Sequence, residues 1–138
     1  MLFHNIWLIL ALFVIIFVVT LVLIIVFRSR FGDNPKWKET VRSKLRSLEV
    51  QNLDLNNQVI QLDKLLEFAL QSKFRSKESL GSLLKKNKKK FEKRDLDQIW
   101  QAHKVRNKIA HDIDFAANSK DLREAVEILK RQCKKVSN

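Results

Sequence analysis

The run IWLILALFVIIFVVTLVLIIVF, Ile6–Phe27, constrains this chain more than any other stretch. As a helix rising about 1.5 Å per residue it would extend roughly 33 Å, enough to cross a hydrocarbon core about 30 Å thick. No Lys, Arg, Asp or Glu precedes Arg28, and only Thr20 interrupts the apolar run. A threonine is tolerated there, because its hydroxyl can return to a backbone carbonyl one turn earlier. Trp7 near one end, and Phe31 and Trp37 past the other, suit the two interfaces of a bilayer. A cleavable signal peptide fits badly: there is no basic leading region, the run is too long, and no small-x-small site follows. A buried core helix of this length without a charge fits no better. The expectation is a single transmembrane helix over residues 6–27, after a short flank at 1–5.

Charge orients that helix. Met1–Asn5 carries no Lys or Arg, whereas Arg28, Arg30, Lys36 and Lys38 follow the run. The positive-inside rule therefore places residues 28–138 in the cytoplasm and the N-terminus outside the inner membrane. The lone cysteine, Cys133, agrees, since it can form no intramolecular disulfide. All 27 Lys and Arg and all 15 Asp and Glu lie after the run, so this part carries the whole net charge of +12. It is large enough for one small domain. The charge suits an anionic partner, either inner-leaflet lipid headgroups or RNA; a merely soluble basic surface would look the same.

The remainder reads as all-helical. Gly32 and Pro35 define the only Gly/Pro cluster, and residues 28–36 read as a juxtamembrane hinge. Beyond it, residues 37–138 contain one glycine, Gly81, and no alternating β-branched run. From Val41 a heptad can be written, with Leu45, Asn52, Val59 and Leu66 at a and Val41, Leu48, Leu55, Leu62 and Ala69 at d. Leucine at d with one Asn at a favours a parallel two-stranded coiled coil. Against it, Leu53, Ile60, Leu65 and Phe68 lie off the seam, and Asn52, Asp54, Asn56 and Asn57 are weak helix formers clustered together. Two bundle helices, near 36–52 and 54–73, satisfy more of the pattern. A short helix over Ser79–Asn87 follows.

Then comes a dense cationic segment: Lys85, Lys86, Lys88, Lys89, Lys90, Lys93 and Arg94. Such runs are commonly solvated faces; as a cluster they also suit contact with phosphates, in nucleic acid or lipid. The next helix, Asp95–Ala110, aligns Leu96, Ile99, Trp100, His103, Asn107 and Ala110 on one face. Asp112–Ala117 connects it to a last helix, capped by Asn118 or Ser119, with Leu122, Ala125, Val126, Leu129 and Cys133 inward. Short connections between such helices imply an antiparallel bundle.

The string HKVRNKIAHD ends the third major helix and is followed by a fourth. In this setting it resembles the HEPN superfamily, compact helical bundles whose signature is an Arg, often a polar residue next, and a His after four to six intervening residues. Arg106 matches the Arg, Asn107 the polar residue and His111 the His, with four residues between them. LDKLLEFALQSKF, the following SLGSLLKK and the helix entering the motif also resemble the family's order, over about residues 40–135. The resemblance implies a HEPN-like bundle and, in many members, a metal-independent ribonuclease acting as a homodimer. Other members are non-catalytic dimerisation or binding modules. No metal or other cofactor is implied, and no acidic cluster has metal-ligand spacing.

Helical geometry bears on the pair. Five residues separate Arg106 from His111 by roughly 7.5 Å along the axis and about 140° around it. One unbroken helix does not aim both at one phosphate, but two copies related by a two-fold axis could share a cleft. His111 would then act as acid or base on the ribose 2′-hydroxyl, and Arg106 would stabilise the phosphorane. RNA would be cut and DNA spared. Plainer roles exist for each residue. His111 can simply end a helix, and Arg106 can pair with Asp112 or Asp114. Asn107 suits a structural hydrogen bond, His103 a satisfied core position and Trp100 the core. His4 has no partner in view, and Cys133 sits on an apolar stripe.

Overall fold

The computed structural model describes residues 2–31, 35–111 and 118–138. Among the described residues there are six α-helices and no strand: α1 (Leu2–Phe31), α2 (Pro35–Val50), α3 (Leu55–Phe74), α4 (Leu80–Lys86), α5 (Lys93–His111) and α6 (Ser119–Ser137). A single 3-10 turn, Lys88–Lys90, links α4 to α5. The chain divides into two compact units, Met1–Asn34 and Pro35–Asn138.

The first unit is α1, which is long and apolar enough over Ile9–Val26 to cross a membrane. The Thr20 hydroxyl donates to the carbonyls of Ile16 and Phe17, which satisfies the one polar side chain of the run from within the helix. The hinge expected at 28–36 is shorter than the sequence reading: α1 continues through Phe31, and α2 already begins at Pro35. Pro35 suits a first helical position, where its fixed φ is helical and its missing N–H is not needed. Residues 32–34 of that hinge lie outside the described residues.

In the second unit α3 and α6 form the centre, with α2 and α5 packed against them and α4 closing over α3 and α5. Leu62, Leu66, Ala69 and Leu70 of α3 meet Leu129 and Cys133 of α6 in one continuous core, joined by Leu80, Leu83 and Leu84 of α4 and Ile99 of α5. Polar pairs give the helix directions. Arg42 donates to the Ser137 carbonyl at 2.6 Å and Glu49 meets Lys134 at 3.2 Å. Gln98 accepts from Arg131 at 2.7 Å, while Asp95 accepts from Gln132 at 2.8 Å and Lys135 at 2.6 Å. In each pair of helices one number rises as the other falls, so α6 runs antiparallel to both α2 and α5.

The coiled-coil alternative is corrected by the break at 51–54. Asp54 caps α3, its carboxylate accepting from the Asn57 amide at 2.9 Å and from the Asn57 side chain at 2.6 Å. Those hydrogen bonds hold the Asp54 carboxyl below its usual range. The polar cluster therefore starts a helix instead of continuing one, and Asn52 lies exposed in the connection. The heptad residues Val41, Leu45, Val59, Leu62, Leu66 and Ala69 are buried within this one domain, which leaves no such seam for a partner helix.

Two further differences are local. Ala110, expected on the buried face of α5, is exposed; Ala102 is buried instead, and Val105 and Ile109 pack on the core. The helix is rotated so that α6 meets it beside, not on, the stripe first drawn. For α6, Asn118 is the cap, its side chain accepting from the Lys120 amide at 3.0 Å. The inward residues Leu122, Ala125, Val126, Leu129 and Cys133 are all buried as expected.

Two measurements test this packing. Leu66 is fully buried at the α3–α6 contact, and Leu66→Ala should lower unfolding free energy by about 3 kcal/mol in urea titrations followed by circular dichroism. The Asp95–Lys135 pair sets a pH dependence. The hydrogen bond from Lys135, helped by Gln132, holds the Asp95 carboxyl below its usual range, and the same bond raises Lys135. The Asp95 contribution is thus present above the ordinary carboxylate range and lost as pH falls through the lowered folded value. That of Lys135 is present below the ordinary lysine range and lost only as pH rises through the raised one. Asp95→Asn should therefore lose less stability than the unaltered chain between neutral and strongly acidic pH.

Candidate functional site

The residues singled out along α5 fall around a carboxylate that the sequence reading passed over. Asp63 of α3 has a side chain only 3 % exposed. It sits among Leu62, Leu65 and Leu66, on a helix face otherwise built of leucine. Its Oδ1 lies 2.9 Å from Nδ1 of His103, and its Oδ2 lies 3.6 Å from Nε of Arg106. His103 and Arg106 are three residues apart on α5, hence neighbours on one face. The one carboxylate thus ties two side chains of α5 to α3.

The tie orients both partners. A carboxylate only accepts hydrogen bonds, so Nδ1 of His103 is the ring nitrogen that donates to Asp63. The contact to Arg106 is of charge only, because 3.6 Å exceeds a hydrogen bond and its buried Nε has no hydrogen-bond partner among the described residues. Arg106 Nη1 donates to the Asn107 side chain at 3.0 Å. Held at two points, Arg106 still leaves 26 % of its side chain in solvent. His103 is more enclosed, at 13 %. Trp100 stands edge-on to it with ring centroids 5.9 Å apart, and Gly81 of α4 approaches both rings.

His111 is not part of this arrangement. It is the last residue of α5 and is exposed. Because α5 runs unbroken from Arg106 to His111, the separation of about 140° around the axis holds. The structure therefore brings Arg106, Asn107 and His103 together and leaves His111 apart from them. Asp112 and Asp114, the expected partners of Arg106, lie outside the described residues, and Asp63 holds that position.

The cationic residues are all exposed: Lys85 and Lys86 in the last turn of α4, Lys88, Lys89 and Lys90 in the 3-10 turn, Lys93 and Arg94 at the start of α5. Lys86 pairs with Glu78 at 2.8 Å. Lys85 lies 6.0 Å from the Trp100 ring centre and Lys90 4.9 Å from that of Phe74, both at cation–π range. Lys93 and Arg94 oppose the positive end of the α5 dipole, an arrangement that favours an external anion. Cys133 is buried, and burial, together with the charge of Asp63, pushes its thiol up to about 12, so it stays protonated and unreactive. An open groove of about 440 Å³ between α2 and α3, lined by Lys44, Leu48, Lys64, Leu65 and Phe68, contains none of the motif residues.

The sequence signal for Asp63 was present. A charged residue inside an apolar stripe, one position from Leu62 and three from Leu66, is rarely buried without a partner. Comparisons with protein-family models, with curated proteins and with solved structures found no match.

The buried tie has a measurable cost of removal. Asp63→Ala leaves the Arg106 charge and the His103 ring without their shared partner, and should lower stability by about 3 kcal/mol. Asp97→Ala, at an exposed position on α5, should change it by less than about 0.5 kcal/mol. Thermal unfolding of the two variants compares them directly.

Proposed function

We propose that this chain is a single-pass membrane protein with a cytoplasmic, HEPN-like helical domain that cleaves RNA without a metal ion, as a homodimer. The observation that carries this reading is the state of Arg106. It is fixed at Nε by the charge of Asp63 and at Nη1 by Asn107, yet a quarter of its side chain faces solvent. A cation positioned in advance and left partly open is what an anionic transition state requires. His111 is exposed one and a half turns further on, where a second copy can present it to the same phosphate. There it takes the proton of the 2′-hydroxyl, whose oxygen attacks phosphorus while Arg106 neutralises the equatorial oxygens. The exposed lysines around the 3-10 turn supply a sequence-independent hold on the RNA backbone, or on anionic headgroups. The apolar α1 and the basic residues after it support the anchor and its orientation.

A second reading rests on one observation of its own. Arg106 is ion-paired to a buried carboxylate, as an arginine kept for packing would be. On that reading the domain is a non-catalytic, membrane-anchored interaction module.

Incubation of the detergent-solubilised protein with single-stranded RNA in excess EDTA separates the two. Cleavage by the unaltered chain, reduced by about 10²-fold or more in His111→Ala, is expected for the enzyme. Equal cleavage by both, or cleavage by neither, selects the module.

A further inference from the structure

Of the four apolar residues that fall off the heptad seam, Leu53, Leu65 and Phe68 meet again in the structure. With Leu48 they line the open groove of about 440 Å³ between α2 and α3. Leu65 is buried and Leu48 and Leu53 are half-buried, which gives the groove an apolar floor. Phe68 stays 38 % exposed. It and Val50, which precedes the lining residue Gln51, are the large apolar side chains left exposed in the second unit among the described residues. Each helix adds one lysine, Lys44 from α2 and Lys64 from α3, and both are exposed. The Lys44 ammonium lies 5.8 Å from the centre of the Phe68 ring. No Asp or Glu lines the groove. The acids of the same stretch are engaged elsewhere: Glu49 meets Lys134 at 3.2 Å, Asp63 faces His103, and the Glu67 carboxylate accepts from the Leu80 amide at 2.7 Å.

We infer that this groove docks a short acidic amphipathic helix of a partner protein, with the apolar stripe of that helix on Leu48, Leu65 and Phe68 and its acidic flanks toward Lys44 and Lys64. The inference is independent of whether the domain cleaves RNA. Charge gives the sign of the occupant: two cations on facing walls, with no carboxylate between them, select an anionic ligand. The open mouth gives its shape. An open groove covers one face of what it holds, and an amphipathic helix has one apolar face to cover. An acyl chain is apolar all round, and such a groove leaves much of it in water. Length agrees: from Gln61 to Phe68 the α3 wall extends roughly 10 Å, about two helical turns, which spans ligand positions i, i+3, i+4 and i+7. None of the cations between Lys85 and Arg94 lines this groove. That segment suits a phosphate backbone, which has no apolar face to bury, whereas the groove asks for apolar area and negative charge together.

The full chain in discs of zwitterionic lipid, free of detergent that could fill the groove, is titrated against fluorescein-labelled peptides of about 14 residues, roughly four helical turns. One peptide carries Leu and Phe at i, i+3, i+4 and i+7 with Glu on both flanks; the other has Lys in place of each Glu. Fluorescence anisotropy should show the acidic peptide binding in the micromolar range and the basic one about tenfold more weakly or worse. Phe68→Ala should weaken the acidic peptide by about tenfold. Lys44→Glu combined with Lys64→Glu should reverse the preference, so that the basic peptide binds better. Both lysines are exposed, so the unfolding temperature of that variant should not change, and a folding defect does not reverse a preference. Binding of neither peptide, or equal binding of both by the unaltered chain and the double variant, overturns the inference. So does binding of oleate at Phe68 without binding of the acidic peptide, which assigns the groove to a lipid. A dimer of the unaltered chain that the double variant loses, with no peptide bound, assigns it to a second copy and overturns it equally.

Discussion

The ion pair and hydrogen bond centred on Asp63 set the relation between the two helices that matter most. A carboxylate placed in an interior of leucine is tolerable only with partners, because removing it from water without compensation costs several kcal/mol. Among the described residues its partners, His103 and Arg106, both come from α5. The register of α5 on α3 is therefore fixed by polar geometry, whereas leucine packing by itself would accept small slips. The rotation of α5 follows from this register: Ala102 turns inward, Ala110 outward, and Arg106 is half-buried. Everything proposed for the site depends on that rotation.

Charge is distributed to match. Pairs between α6 and its neighbours, Arg42 with Ser137, Glu49 with Lys134 and Asp95 with Lys135, lie along the edges of the core. The cations between Lys85 and Arg94 instead sit on and beside a short connection, where Lys86 pairs with Glu78 and Glu92 with Lys135. Two of those lysines, Lys85 and Lys90, hold their ammonium groups over aromatic rings. The basic character of the domain is thus concentrated near α4 and the start of α5.

Much of the fold was legible because each helix carries its own punctuation. The polar cluster from Asn52 to Asn57 marked the end of one helix and the cap of the next, although a heptad could be written through it. A periodicity argument weighs only which residues are apolar; the capping preference of Asp54 decided against a continuous zipper. The buried face of α6 was legible residue by residue, since its apolar positions leave a single stripe. The site was less so. Arg106 and Asn107 stand out as a motif, but the residue that positions Arg106 lies 43 positions earlier in the numbering and belongs to no motif. A contact between distant segments has no local signature. The hint was an aspartate where the helical period required a leucine.

The central place of α6 has a consequence for how the domain is assembled. The helices it packs between, α2, α3 and α5, all precede it in the chain, and the Arg42–Ser137 contact closes a separation of 95 residues. Until α6 arrives, the parts of the apolar faces of α2, α3 and α5 that it covers stay open to water. Such non-local closure slows folding relative to a bundle of sequential hairpins. The newly made domain therefore passes through an interval of exposed apolar surface, in which chaperone binding and self-association compete with the docking of one last helix.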